Sequence, residues 1–253
     1  MSFLHKWLGQ KTTGSLSDYS ALAVDMHAHW LPGIDDGAKN MEESLALIRH
    51  FYDMGFRHLI ATPHVMADLY PNTPAIIQEK LQLVREAVGK EGIAVTLDAA
   101  AEYLMDEAFG DKIKSGTLLT LPGNRVLVEM SFVSAPPHLD QYIFQLQTKG
   151  YKVVLAHPER YLFFRDQYSR YRDLKNRGVL FQMNLLSLAG YYGLPTKENA
   201  LQLLKDGMID FFGTDMHHER HARQIAALLD DKKSNRLLAE YLPNMLNPTL
   251  SFA

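Results

Sequence analysis

From Ala21 onward, short apolar runs rich in β-branched residues alternate with stretches whose apolar positions recur every three to four residues. The first kind reads as buried strand and the second as amphipathic helix. Residues 21–27 form the first expected strand. Asn40-Met41-Glu42-Glu43 then opens a helix in capping-box style, with Leu45, Ile48 and Tyr52 on one stripe and Gly55 as its stop. Residues 57–62 make a second strand, ended by Pro63, and a helix is expected over 74–90, with Ile77, Leu81 and Val84 at helical spacing and Gly92 beyond its end. Further strands are expected at 95–99, 126–130, 153–156, 179–184 and 209–213, and helical stretches at 138–149, 197–205 and 221–229.

Strands alternating with helices in this way build parallel βα units. Seven strand candidates predict an α/β chain closed, or nearly closed, into a (β/α) barrel, with an open doubly wound sheet as the alternative. The chain carries no Gly-x-Gly-x-x-Gly or Walker-type loop, which weakens the open nucleotide-binding sheet. No repeat or internal boundary is evident, so residues 21–253 are expected to form one barrel domain. Residues 1–20 read as an extension and linker, in which Phe3, Leu4, Trp7 and Leu8 would pack against the chain's own domain.

Composition narrows the function. Of 253 residues, 47% are hydrophobic and 22% charged, as in an ordinary globular protein. A net charge of −3 argues against a nucleic-acid partner, which needs a basic surface to release counterions. Cysteine is absent, which removes disulfides, thiolate metal sites and every cysteine-nucleophile mechanism. No run approaches the roughly 18 apolar residues of a membrane span, and the N-terminus lacks signal-peptide character. A cytoplasmic protein without stable membrane insertion is expected; oligomeric state is not legible.

Candidate chemistry gathers where the expected strands end. Residues at i and i+2 on a strand point the same way, so His27-Ala28-His29 aims two imidazoles at one point, with Asp25 on the same side. Asp215-Met216-His217 does the same with a carboxylate and an imidazole. His64, Glu102, Glu129 and His157 also lie at or just after strand C-terminal ends, which converge on one face of a (β/α) barrel. So many buried imidazoles and carboxylates are costly together unless a cation binds them. Nitrogen and oxygen donors suit manganese, iron, zinc or magnesium, and their number calls for two or more ions. His5, His50, His58 and His138 lie off the strand ends and read as surface or core residues. His217-His218-Glu219-Arg220-His221 offers a helix-borne metal pair as one reading, but His218 and His221 are expected to flank the site or face solvent, and Tyr191 and Tyr192 are weighed as a rim of a binding cleft.

These stretches resemble the PHP (polymerase and histidinol phosphatase) superfamily, and within it the bacterial manganese-dependent tyrosine-protein phosphatases of the CpsB/YwqE type. The resemblance runs from about Val24 to the C-terminus. It rests on Asp25-Met26-His27-Ala28-His29, Gly33-Ile34-Asp35-Asp36-Gly37-Ala38-Lys39, Ala61-Thr62-Pro63-His64, Ala101-Glu102-Tyr103, Leu127-Val128-Glu129-Met130-Ser131, Ala156-His157-Pro158-Glu159-Arg160-Tyr161 and Gly213-Thr214-Asp215-Met216-His217. It implies a distorted (β/α)7 barrel of the PHP type holding three divalent ions, manganese first, with iron, zinc or magnesium as alternatives. The first ion would take His27, His29, Glu102 and Asp215; the second Glu102 as a bridge, Glu129 and His157; the third Asp36, His64 and His217. The implied chemistry is phosphotyrosine hydrolysis by a metal-bound hydroxide, with Asp215 and His217 among the catalytic groups. Arg160 is expected to bind phosphate through its planar fork. Arg220 is the candidate for a second phosphate contact, with Arg223 close by. The implied partner is the phosphotyrosine-bearing tail of a bacterial tyrosine kinase that controls capsular or extracellular polysaccharide synthesis.

Three rivals remain at this level. A small-molecule phosphatase, acting on histidinol phosphate or a sugar phosphate, would favour a deep closed pocket. An amidohydrolase would bridge its metals with a modified lysine, and none is placed that way in the sequence. A non-catalytic metal scaffold would be expected to have lost ligands. The 131–138 stretch and the loop around Tyr191 are expected to shape substrate access.

Overall fold

The computed structural model describes residues 15–250. In chain order its strands and helices are β1 (Val24–Asp25), α1 (Met41–Asp53), β2 (His58–Ala61), β3 (His64–Val65), α2 (Pro74–Glu91), β4 (Thr96–Ala99), β5 (Glu102–Leu104), α3 (Phe109–Ser115) and β6 (Arg125–Glu129). There follow α4 (Leu139–Thr148), β7 (Lys152–Ala156), α5 (Ser169–Asn176), β8 (Leu180–Asn184), α6 (Leu185–Ala189), α7 (Leu194–Lys205), β9 (Phe211–Gly213), α8 (Glu219–Asp230) and α9 (Lys232–Tyr241).

All strand pairs are parallel and fall into a sheet β1-β2-β4 and a sheet β3-β5-β6-β7-β8-β9. The two are one wall. Pro63 has no N–H to give the ladder, so the second stave breaks after β2 and resumes as β3. The third breaks at Ala100-Ala101, where Ala100 N–H donates to Ala61 O and Glu102 N–H to Pro63 O. A parallel bridge from Ala28 to Met216 joins β1's continuation to that of β9, and His29 N–H donates to Met216 O at 2.9 Å. The nine strands therefore form seven staves closed into a distorted barrel, as expected.

Along β6 to β9 the alternation sorts two cores. Leu127, Val154, Ala156 and Phe211 face inward with Met26, Ile60 and Leu250. Val126, Val128, Val153, Leu155, Phe181, Met183 and Phe212 face the surrounding helices. The inward phase carried one step further reaches Glu129, Gln182 and Asn184, and that is how period-2 patterning delivers polar groups to the barrel mouth.

The linker expected over 1–20 is partly outside the described residues, including the Phe3/Leu4/Trp7/Leu8 cluster and His5. Its last part is packed: Tyr19 is fully buried, stacks on Phe56 at 5.6 Å and donates its hydroxyl to Ile225 O, and Leu16 exchanges hydrogen bonds with Asn235. No helix among the described residues is long and apolar enough to cross a membrane.

Candidate metal centre and phosphate cleft

Each stave except that of β8 delivers a His, Asp or Glu to the barrel's C-terminal face. His27 and His29 follow β1, His64 opens β3, Glu102 opens β5, Glu129 ends β6, His157 follows β7, and Asp215 and His217 follow β9. His157 and Asp215 sit at φ +34° and +52°, a left-handed conformation that side chains other than glycine seldom adopt. Asp36 comes from the loop before α1. That loop closes onto His29 only because residue 37 is glycine: a Cβ there would lie 1.9 Å from His29 O.

The side chains converge on shared points. His27 Nε2 lies 3.1 Å from Glu102 Oε2 and 3.4 Å from Asp215 Oδ1, and His29 Nε2 lies 3.5 and 3.4 Å from the same two oxygens. Around the Glu102–Glu129 pair stand both His157, with Nε2 3.0 Å from Glu102 Oε1, and His64, with Nδ1 3.1 Å from Glu102 Oε2 and 2.8 Å from Glu129 Oε1. Asp36 Oδ1 is 3.4 Å from both His64 Nε2 and His217 Nε2, and its side chain is the one largely exposed member of the set. Asp25 instead turns to Thr214, accepting from its N–H at 2.9 Å and its hydroxyl at 3.2 Å.

The protons these residues carry leave a site fitted to metal ions. His29 Nδ1–H donates to Asp35 Oδ2 at 2.8 Å, and His27 Nδ1–H donates to Gln182 Oε1 at 2.8 Å. In both neutral rings the lone pair is then on Nε2, and the two Nε2 atoms face each other at 3.3 Å across two carboxylate oxygens. Acceptors so arranged need a cation between them. Buried His64 Nδ1, Glu102 Oε2 and Glu129 Oε1 lie close together yet without hydrogen-bond alignment, so all three are left unsatisfied. Without metal, protons fill the role. Burial opposes charge on His29, but the Asp35 carboxylate outweighs it and lifts the imidazole to about 10. Burial likewise opposes ionisation of Glu102 and Asp215, yet the facing imidazoles hold both well below the ordinary carboxylate range. Four sets of three or four of these residues bring ligand atoms within 4.8 Å of one another. The donor set fits divalent ions.

Arg160 stands at the lip. Its Nη1 donates to Asp215 Oδ2 at 3.2 Å, and its guanidinium lies between the rings of Phe132 and Tyr192, 4.2 Å from each centroid. A planar cation stacked on both faces leaves its donor edge directed sideways. Arg160, Glu129, His157, Asp215 and His217 line a cavity of about 430 Å3 whose rim carries Met66, Leu69, Tyr70 and Phe132. Leu69 and Phe132 are 71% and 48% exposed, so the mouth opens through an apolar rim. Of the two tyrosines weighed as a cleft rim, Tyr192 lines this cavity, while Tyr191 lies under Arg220 at 5.4 Å. Arg220 lines an adjoining groove of about 660 Å3 with Lys39 and Glu43, which shares only Asp36, His217 and His218 with the cavity. His218 and His221 both border the cavity, the first exposed and the second buried. The one lysine on a described strand, Lys152, opens β7 at the opposite end and is exposed.

Sequence reasoning assigned no role to Asp35, Gln182, Asn184 or Glu159. Asp35 lay inside a quoted motif, and Gln182-Met183-Asn184 carried the inward phase of β8; both signals were present. Glu159 lay in the His157-Pro158-Glu159-Arg160-Tyr161 stretch, but its neighbours in sequence do not foretell that it is buried and accepts from Ser187 Oγ at 2.6 Å and Asn184 N–H at 3.0 Å.

The fold and the cluster define a parallel α/β barrel with a set of candidate metal ligands at the C-terminal ends of its strands. Residues 23–235 match the family model described as capsular polysaccharide synthesis, CpsB/CapC, and the chain belongs to that family. It is 30% identical over 219 residues to the tyrosine-protein phosphatase YwqE of Bacillus subtilis, covering 85% of this chain and 86% of that protein. It is 27% identical to the tyrosine-protein phosphatase CpsB of Streptococcus pneumoniae over 77% of this chain and 83% of that one. Among solved structures it superposes with a TM-score of 0.74 and 29% identity on one described for YwqE and CpsB as metal-dependent tyrosine phosphatases, covering 88% of this chain and 95% of that one. A histidinol phosphate phosphatase from Lactococcus lactis shares the fold, with a TM-score of 0.51 at 15% identity.

Proposed function

We propose that this chain is a metal-dependent protein-tyrosine phosphatase that acts in the cytoplasm on the tail of a bacterial tyrosine kinase in capsular polysaccharide synthesis. Membership of the CpsB/CapC family and the tyrosine phosphatases among its relatives support the reading. The observation that carries it is the stacked Arg160 fork at the lip of the His/carboxylate cluster, opening on an apolar rim suited to an aryl phosphate.

Three ions, manganese in the cell, would be held by His27, His29, Glu102 and Asp215; by Glu102, Glu129 and His157; and by Asp36, His64 and His217. Bound there, they supply an acidified water and positive charge against the phosphoryl oxygens. Arg160 grips two phosphoryl oxygens, and its ring neighbours fix the plane of the fork. Asp35 keeps the His29 lone pair aimed into the centre. The leaving phenolate is a weak base, so no strong general acid is required. His217 and Asp215 border the cavity where the phosphoryl group lies, and Arg220 in the adjoining groove contacts the peptide beyond the phosphotyrosine.

The test is phosphate release from a phosphotyrosine peptide by metal-stripped protein with manganese restored, beside a phosphoserine peptide, histidinol phosphate and a sugar phosphate. Manganese-dependent release selective for phosphotyrosine is expected. No release from either peptide with manganese, iron or zinc overturns the reading, and release from the small phosphates alone replaces it with a small-molecule phosphatase.

A further inference from the structure

β8 is the one stave that contributes no His, Asp or Glu to the centre, yet its inward residues Gln182 and Asn184 are fully buried at the mouth. They form a chain of hydrogen bonds. His27 Nδ1–H donates to Gln182 Oε1 at 2.8 Å, Gln182 Nε2–H to Asn184 Oδ1 at 3.0 Å, and Asn184 Nδ2–H to Asp215 Oδ2 at 2.6 Å. The direction of the chain is forced. An ionised Asp215 only accepts, so Asn184 must turn its NH2 toward it, which leaves its carbonyl for Gln182. Gln182 then spends its NH2 on Asn184 and presents its carbonyl to His27. Only the Nδ1–H tautomer of His27 satisfies that carbonyl, and its Nε2 lone pair is thereby aimed at Glu102 and Asp215. At the other end Asn184 and Arg160 both occupy Asp215 Oδ2, leaving Oδ1 free beside His27 and His29. Gly213 gives the chain its room, since a Cβ there would lie 2.7 Å from Gln182 Nε2 and 2.8 Å from His27 Cβ.

We propose that Gln182 and Asn184 are positioning residues that act as one relay, coupling the tautomer of His27 to the monodentate presentation of Asp215. The two residues from opposite ends of the chain thus bind one cation as a preset pair. This rests on the metal reading above, and its test is chosen to fail separately from it.

The measurement is manganese and zinc affinity by chelator competition for the wild type, Gln182→Met, Asn184→Leu and the double variant. A supplementary readout is the imidazole N–H resonance of His27 in the zinc-loaded protein. Each single variant is expected to lose about 10- to 100-fold in affinity, the scale of groups that orient metal ligands. The double variant is expected to lose little more than the worse single one, because either change breaks the same relay. Asn184→Leu, which does not touch His27, should still shift the His27 resonance. Wild-type affinity in either single variant, losses that add in the double, or an unmoved His27 resonance in Asn184→Leu overturns the relay. A wild type that binds neither ion overturns the metal reading itself. Unfolding of one variant, checked by circular dichroism without metal, leaves the other single variant and its resonance to decide.

Discussion

Single side chains at the centre act through which of their atoms are already spoken for. His27 and His29 have their Nδ1 hydrogens committed outward, so both offer Nε2 inward. His27→Ala and Asp215→Asn should each cut phosphatase turnover by at least about 100-fold while the far-ultraviolet circular dichroism stays native, because groups that act as a unit fail together. Near wild-type turnover in His27→Ala would remove it from the centre. Arg160→Ala should raise KM and lower kcat, and Arg160→Lys should recover only part of the loss, because an ammonium restores charge without the stacked fork; full recovery by lysine would show that charge alone matters. The pH dependence follows from His29, whose imidazole is lifted to about 10 when burial is outweighed by Asp35. Its protonated form stabilises the metal-free fold fully below about 6.5, the ordinary imidazole value, and that contribution is lost as pH rises through about 10. A divalent ion must displace that proton at neutral pH, so binding should tighten with rising pH and release protons. Calorimetry in buffers of different ionisation enthalpy checks this, and metal binding at pH 7 without proton release contradicts it.

Elements were legible in proportion to how long their period persisted. The α2 helix shows Ile77, Leu81 and Val84 buried at the expected spacing and ends at Gly92, φ +66°. The strands β3 and β5, two and three residues long, were not recognised as strands although His64 and Glu102 were already read as site residues, since so short a run has no period to read. The helices α3 and α5 were missed for a related reason: each buries only two residues, too few to mark a stripe. The start of α1 was readable because its chemistry is local. Asn40 accepts from Glu43 N–H, and the Glu43 carboxylate accepts in return from Lys39 N–H, both at 3.0 Å. Asn40→Ala should therefore cost about 1 kcal/mol and lower Tm by about 2–4 °C for a chain of this size. An unchanged Tm in a thermal melt would mean that the cap does not hold this turn.

The molecule as a whole depends on closure, and closure joins distant parts of the chain. Asn247 is fully buried beneath the barrel, accepting from Phe212 N–H and donating to Val24 O and Phe212 O at 3.0, 3.0 and 2.7 Å. It straps the C-terminal segment across β1 and β9, while Leu250 joins the inward core. Asn247→Ala leaves buried backbone groups without partners and should cost about 2–3 kcal/mol, measured by urea denaturation; a loss below about 0.5 kcal/mol would show that closure does not need the strap. By itself the sequence determined the strand and helix alternation, the absence of thiol chemistry, and the residue types brought to the strand ends, because each depends on local period or composition. Which carboxylate faces which imidazole was decided only when the staves closed. So were the setting of Arg160 between two rings, the docking of Tyr19 in a segment that reads as linker, and the role of an amide pair on the one stave without a ligand. The reason is physical: these are contacts between residues as far apart as 27 and 182 or 215, and a local pattern carries no record of which distant partner satisfies a buried hydrogen bond.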